Sequence, residues 1–168
     1  NLRDDASDAR TLVCPVDSEG VVKQRVDLIK DGVASGVLHD SYTAHRENKR
    51  STGHSYRGSA GNLVMEPGKP TVDEMIASTK RGIPVTRFPY TNIAHLMTAS
   101  FTGMTRDGTF LIEDGRIVGP VKNLRFTQSI LEALSNLQMV GSEAKLVEGV
   151  FAPPLKIGKF RFSSATEF

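Results

Sequence analysis

The first regular signal along the chain is of the β type. After a polar opening over residues 1–10, short apolar runs follow one another: Thr11-Leu12-Val13-Cys14, then Val21 and Val22, then Val26-Asp27-Leu28-Ile29, which stops at Asp31-Gly32. Asp-Gly between two apolar runs predicts a two-residue hairpin, because both central positions of the favoured turn need positive φ. The return strand is read over residues 33–38. The device recurs: residues 28–38 line up with residues 111–121, with Asp114-Gly115 and Gly119 matching Asp31-Gly32 and Gly36. A duplication and a recurrent hairpin solution both account for the match, and two copies are too few for a solenoid. Further strands are read over residues 93–101, 109–112 and 155–162.

Two segments carry helical signals. Over residues 70–82, Thr71 is placed to cap the start, Asp73 and Glu74 lie in the first turn, Lys80 and Arg81 in the last, and Gly82 follows. Those charges complement the helix dipole at both ends. Over residues 127–140, Ile130, Leu131, Leu134, Leu137 and Val140 recur at three- and four-residue spacing, which predicts a helix with one buried face. Between them and the first hairpin, residues 41–68 are polar, basic and rich in Gly and Ser. A loop of that length inside a compact domain is usually functional or mobile, so this stretch is expected to offer a surface to a partner. The fold class is α+β: a hairpin-built, mainly antiparallel, bent sheet or partial barrel with two helices. Residues 1–10 are read as a flexible arm or the end left by an excision, consistent with a start at Asn1, and residues 11–168 as a single domain.

Composition narrows the class without naming a function. The 168 residues are 39% apolar and 24% charged, enough for a core that stands without disulfides or a structural metal. A net charge of +2 is too small to imply a nucleic-acid or membrane partner by itself. No stretch approaches the roughly 18 consecutive apolar residues of a membrane span, and the expected location is cytoplasmic. A single cysteine, Cys14, excludes an intrachain disulfide and any zinc site built from cysteine pairs, and reads as a small buried hydrophobe.

Candidate chemistry gathers in the long polar stretch. His39, His45 and His54 lie close together beside Asp40, but at a spacing poor for a metal. Arg46, Lys49, Arg50 and Arg57 form a basic cluster offset by Glu47, accompanied by a single aromatic, Tyr56. That favours a protein contact over a stacking platform for single strands. The residues singled out as a partner or peptide-contact loop are His39, Asp40, His45, Arg46, Arg50, His54 and Arg57. His95 reads as a partly buried hydrogen-bonding histidine. Gly58-Ser59-Ala60-Gly61 is not followed by a helix and is no phosphate loop. No residue is assigned as catalytic.

The order of several short motifs resembles a known family. Leu38-His39-Asp40-Ser41-Tyr42-Thr43-Ala44-His45-Arg46, Ser51-Thr52-Gly53-His54, Gly61-Asn62-Leu63-Val64-Met65-Glu66-Pro67-Gly68, Phe101-Thr102-Gly103, Thr105-Arg106 and Phe110-Leu111-Ile112-Glu113-Asp114-Gly115 occur in the order seen in the C-terminal domain of the TldD/PmbA family. Pro120-Val121-Lys122, Asn136-Leu137 and Val140-Gly141-Ser142-Glu143 extend it. The Asp-Ser-Tyr-Thr-Ala and Ser-Thr-Gly stretches are more similar to the PmbA branch, also called TldE. The family was named for modulators of DNA gyrase. The resemblance implies a hetero-oligomeric zinc metallopeptidase that hydrolyses unfolded peptides, in which a TldD subunit carries the metal and pairs with a PmbA/TldE subunit.

The family's HExxxH motif, whose glutamate activates a metal-bound water, has no counterpart in this chain. The family's further cysteine ligand lies in a CGK-like loop; here Glu148-Gly149-Val150-Phe151 runs directly into Ala152-Pro153-Pro154-Leu155, so that loop is read as deleted. The expectation is a non-catalytic subunit that is inactive alone and shapes a peptide-processing chamber. Its expected partners are the N-terminal half of the same protein, a TldD-like subunit and an unfolded peptide, with zinc held only in the TldD-like partner or the upstream half. The alternative is a nucleic-acid or gyrase-associated binding module using the basic loop 45–57.

Overall fold

The computed structural model describes residues 1–165; the side chains of Tyr56 and Arg57 lie outside that description. In chain order the strands and helices are β1 (Leu2–Asp4), β2 (Val26–Lys30), β3 (Val33–Ala34), α1 (Ser41–Arg46), α2 (Ser55–Gly58), β4 (Leu63–Met65), α3 (Val72–Ala77), β5 (Arg81–Gly82), β6 (Val85–His95), β7 (Ser100–Glu113), β8 (Arg116–Pro120), β9 (Leu124–Ser129), α4 (Ile130–Ser135), β10 (Leu137–Val140), β11 (Lys145–Val147), β12 (Val150–Ala152), β13 (Leu155–Ile157) and β14 (Phe162–Ala165). They form two compact units, residues 1–68 with 143–154, and residues 69–142 with 155–165. The class is α+β and mainly antiparallel, as the hairpin signals predict.

The first unit is built on a six-stranded sheet in the order β11-β12-β4-β1-β2-β3. All its pairings are antiparallel except β12 with β4. Asp31 and Gly32 turn β2 into β3 with φ of 50° and 80°, the positive pair that the Asp-Gly signal predicts. The return strand is shorter than expected, ending at Ala34.

Residues 1–10 are not a flexible arm. β1 pairs with β2 on one side and β4 on the other, and Arg3, Asp4 and Asp5 are buried. A polar segment can occupy this position because its charges are matched locally. Arg3 donates to Asp8 at 2.6 Å and to Glu66, and Arg10 donates to Asp8 at 2.6 Å. The long stretch 41–68 is ordered too, as α1, α2 and β4. Asp40 caps α1 by accepting the Thr43 N–H at 2.7 Å, while the Thr43 hydroxyl accepts the Asp40 N–H at 3.1 Å, a capping box that starts a helix without an apolar face.

The Arg3 network predicts acid sensitivity. Hydrogen bonds from Arg10, then from Arg3, hold the Asp8 carboxyl well below its usual range, and Arg3 holds Glu66 down in the same way. At Asp5, burial pushes the other way and is outweighed by hydrogen bonds from Ser7. The unfolded chain therefore binds these protons more tightly than the folded one. The stabilisation is present above the unfolded carboxylate value of about 4 and is lost as pH falls through the lower folded values. Urea titrations at stepped pH should show the midpoint dropping below about pH 4, and dropping less in Asp8→Asn.

The second unit centres on β7, fourteen residues long. β9 and β14 extend the sheet from one side of β7, β6 pairs along its first part, and β8 and β5 pair with its last part. The antiparallel sheet curls into a half-barrel. Its core is a phenylalanine cluster: Phe126 is completely buried, with ring centroids of Phe88, Phe101 and Phe160 at 4.9, 5.1 and 5.3 Å. Asp114 and Gly115, at φ of 45° and 77°, close the second Asp-Gly hairpin between β7 and β8. A separate pair, β10 with β13, completes the unit.

Other expected elements differ in extent too; of residues 155–162, only Leu155–Ile157 and Phe162 lie in strands, β13 and β14. α3 starts at the expected cap, with Thr71 and Glu74 forming a capping box, but ends at Ala77, and Arg81–Gly82 joins the sheet instead. The helix read over 127–140 is confined to Ile130–Ser135, because Phe126 to Ser129 pair with β7 and Leu137 to Val140 with β13. Residues 93–101 are not one strand: the chain reverses between β6 and β7, with Ala99 at φ 45°. Leu96 and Met97 sit at that tip, 77% and 90% exposed.

Candidate functional site

The expected contact loop separates into a buried and an exposed set. His39 is buried; its backbone N–H donates to the Thr52 hydroxyl at 2.8 Å and its carbonyl accepts the Thr52 N–H at 3.0 Å, which fastens the start of α1 to residues 51–54. Asp40 is spent on the helix cap. His54 is buried, with Nδ1 2.9 Å from the Thr52 hydroxyl and Nε2 3.0 Å from the Asp4 carboxylate. The other Asp4 oxygen accepts the N–H groups of Gly61 and Asn62 at 2.8 and 2.9 Å. His45, Arg46 and Arg50 are exposed, and the Arg46 guanidinium lies 5.9 Å from the centre of the Tyr42 ring. The side chain of Arg57 lies outside the described residues.

Thr52, His54 and Asp4 make a hydroxyl–imidazole–carboxylate chain, the arrangement that activates a nucleophile in hydrolases. Its surroundings give it another role. The Thr52 hydroxyl is held by both backbone groups of His39, at 2.8 and 3.1 Å, and the His54 and Asp4 side chains are fully enclosed. With the hydroxyl tied to the His39 backbone and its two partners enclosed, the chain serves as a lock between β1 and residues 52–62. Asn62, wholly buried, extends it by donating to the Thr11 hydroxyl at 3.1 Å and the Leu12 carbonyl at 2.7 Å while accepting from Lys23 at 3.1 Å. Sequence reasoning missed Asp4 and Asn62, since neither spacing nor periodicity ties residue 4 to residue 54.

The donor chemistry does not fit zinc. Both His54 nitrogens are engaged, and the His39 Nε2 lies 3.5 Å from the Lys49 ammonium, while the His39 Nδ1 is buried without a hydrogen-bond partner and belongs to no group of three metal-binding side chains among the described residues. Cys14 is exposed rather than buried, with its sulfur 3.5 Å from the Val16 carbonyl oxygen. Among the described residues no three His, Cys, Asp or Glu side chains converge as a metal would require. His95 is exposed, not partly buried as expected, and its Nδ1 accepts the Thr98 N–H at 3.3 Å. No helix among the described residues is long and apolar enough to cross a membrane.

Fold and site together define a hairpin-built, mainly antiparallel α+β domain with a buried, hydrogen-bonded polar centre. The chain belongs to the TldD/PmbA family: residues 1–164 match the PmbA/TldA metallopeptidase C-terminal domain. It is 31% identical over 143 residues to a metalloprotease TldD homolog of Haemophilus influenzae, a match covering 80% of this chain and 29% of that protein. It is 29% identical over 134 residues to the metalloprotease PmbA of Escherichia coli, covering 77% of this chain and 28% of that one. Its fold is that of TldE from Thermococcus kodakarensis, with a TM-score of 0.83 at 23% identity over 97% of this chain and 39% of the other. The chain thus spans less than a third of the curated relatives' length.

Proposed function

We propose that this chain is the C-terminal domain of a PmbA/TldE-like subunit that carries no catalytic metal of its own and completes the peptide-holding chamber of a TldD-like partner in the cytoplasm. The observation that carries this reading is the hairpin of β11 and β12. Glu148 and Gly149, at φ of 51° and 87°, form a two-residue turn, and Lys145, Leu146 and Val147 pair in register with Ala152, Phe151 and Val150. The resemblance reads the family's cysteine-bearing loop as deleted at the end of this hairpin, where Phe151 of β12 runs directly into Ala152, Pro153 and Pro154, and the unbroken β12 supports that reading. The chemistry then falls to the partner subunit, with zinc held there or in the N-terminal half, and the substrate is an unfolded peptide.

Co-purification and peptidase assays test the reading. The full-length protein containing this chain is expected to co-purify with a TldD-like subunit and to cleave an unfolded peptide only in its presence. Peptidase activity of the protein alone, with stoichiometric zinc bound, would overturn the proposal.

A further inference from the structure

We infer that the sheet face of the second unit opposite the phenylalanine core, together with the open edge of β6, binds an extended acidic polypeptide segment. Directly paired residues on antiparallel strands share a face, and alternate residues of a strand return to it. Arg87 on β6 pairs with Arg106 on β7; Tyr90 pairs with Met104, and Met104 in turn with Arg125 on β9. Met104 and Arg106 are two residues apart, so all five side chains lie on one face. Thr105, between them, is buried on the other side.

This face is short of negative charge. Arg87 and Arg106 are 57% and 70% exposed at the side chain, and both reach toward the same carboxylate, Asp107, at 3.4 and 3.9 Å. Those separations exceed the roughly 2.7–2.9 Å of a well-formed charged hydrogen bond. Like charges directly opposite on neighbouring strands are unfavourable, and carboxylates from a partner would relieve the repulsion. Arg125, exposed one row further on, extends the positive charge of this face across Met104 from Tyr90, itself 63% exposed.

The margin of the sheet indicates the form of the partner. β6 is eleven residues long, and among the described residues it pairs with β7 alone. A strand margin presents a row of backbone N–H and C=O groups that an extended peptide can join. Pro89 withholds one donor, as prolines in edge strands do, and leaves residues 90–95 for pairing. A strand added there places alternate side chains on this face, so glutamates or aspartates at every second position line the margin beside Arg87 and Tyr90, with Arg106 one strand further in. A nucleic acid has no use for the strand margin, and one tyrosine is a poor platform for successive bases.

The inference narrows the peptide class in the function proposed above, yet it is measured without a TldD-like subunit, so either can fail alone. Fluorescence anisotropy on the full-length protein would compare a labelled short peptide of alternating Glu and Thr with its Lys-Thr counterpart. Further arms are the Glu peptide N-methylated at alternate backbone positions, and oligo-dT. At about 0.05 M salt the Glu peptide is expected to bind at least about tenfold tighter than the Lys peptide, a gap that shrinks near 0.5 M because exposed charges are then screened. N-methylation should weaken binding. Arg87→Glu with Arg106→Glu should reverse the preference, and Arg125→Glu should reduce it, with melting curves unchanged at these exposed positions. Equal binding of both peptides, indifference to the substitutions, or tight oligo-dT binding in place of the Glu peptide would each overturn the inference.

Discussion

Replacing His54 with alanine is expected to cost about 3–5 kcal/mol of stability, from the cavity left by a fully buried ring and the buried hydrogen-bonding groups left without a partner. The substitution leaves Asp4, wholly buried, without the imidazole 3.0 Å away, and opens a cavity beside Thr52. Asp4→Ala should cost a similar amount, since it strips the acceptor from His54 and from the N–H groups of Gly61 and Asn62 at once. The double variant should cost less than the sum, because both changes remove the same contact. Urea unfolding gives the magnitudes, and hydrogen exchange gives the location, with protection lost first in Leu2–Asp4 and Leu63–Met65. Effects within about 0.5 kcal/mol, as at ordinary surface positions, would show that the chain from Thr52 to Asp4 is not a lock.

Phe126→Ala is expected to be comparably severe in the second unit, at about 3–5 kcal/mol for deleting a fully buried aromatic ring. Phe126 touches the rings of Phe88, Phe101 and Phe160, so its loss removes the hub of the cluster and three edge-on contacts. Gly103 sets how closely that hub is held: a Cβ there would stand 2.8 Å from the ring's Cζ and 2.4 Å from the Tyr90 carbonyl oxygen. The cavity is therefore bordered by backbone that cannot collapse into it. Hydrogen exchange should show the loss in β7 and β9, and Phe126→Leu, which refills part of the volume, should be milder. An alanine variant as stable as the parent would mean that the core of this unit lies elsewhere.

Much of the hairpin frame was legible because it is written locally. Asp31-Gly32 and Asp114-Gly115 each need positive φ at two consecutive positions, and few residue pairs accept it cheaply. The cap of α3 was legible for the same reason, as Thr71 and Glu74 interact within one turn. The Glu148-Gly149 turn escaped notice because glutamate is not a usual residue at positive φ. The apolar spacing over residues 127–140 misled: Ile130 and Leu131 are 45% and 65% exposed, and partners on β7 and β13 draw the flanking residues into strands. Tertiary pairing overrode a helical period there.

The proposed contact loop shows the same division more sharply. Sequence located the polar stretch and the family motifs within it, and the family assignment rests on them. It had no means of separating His54 and His39, which are buried, from His45, Arg46 and Arg50, which face solvent. Burial of a histidine depends on a carboxylate brought from elsewhere, and Asp4 lies fifty residues away in the chain. By itself the sequence determined the turns, one helix start, the mainly antiparallel α+β class and the family, all consequences of local dihedral preference or of motif order. Only the tertiary structure decided that the charged opening segment is an inner strand, that the polar centre is a lock, and that three arginines from three strands share one face. Each of those depends on partners far apart in sequence, and no local energy encodes them.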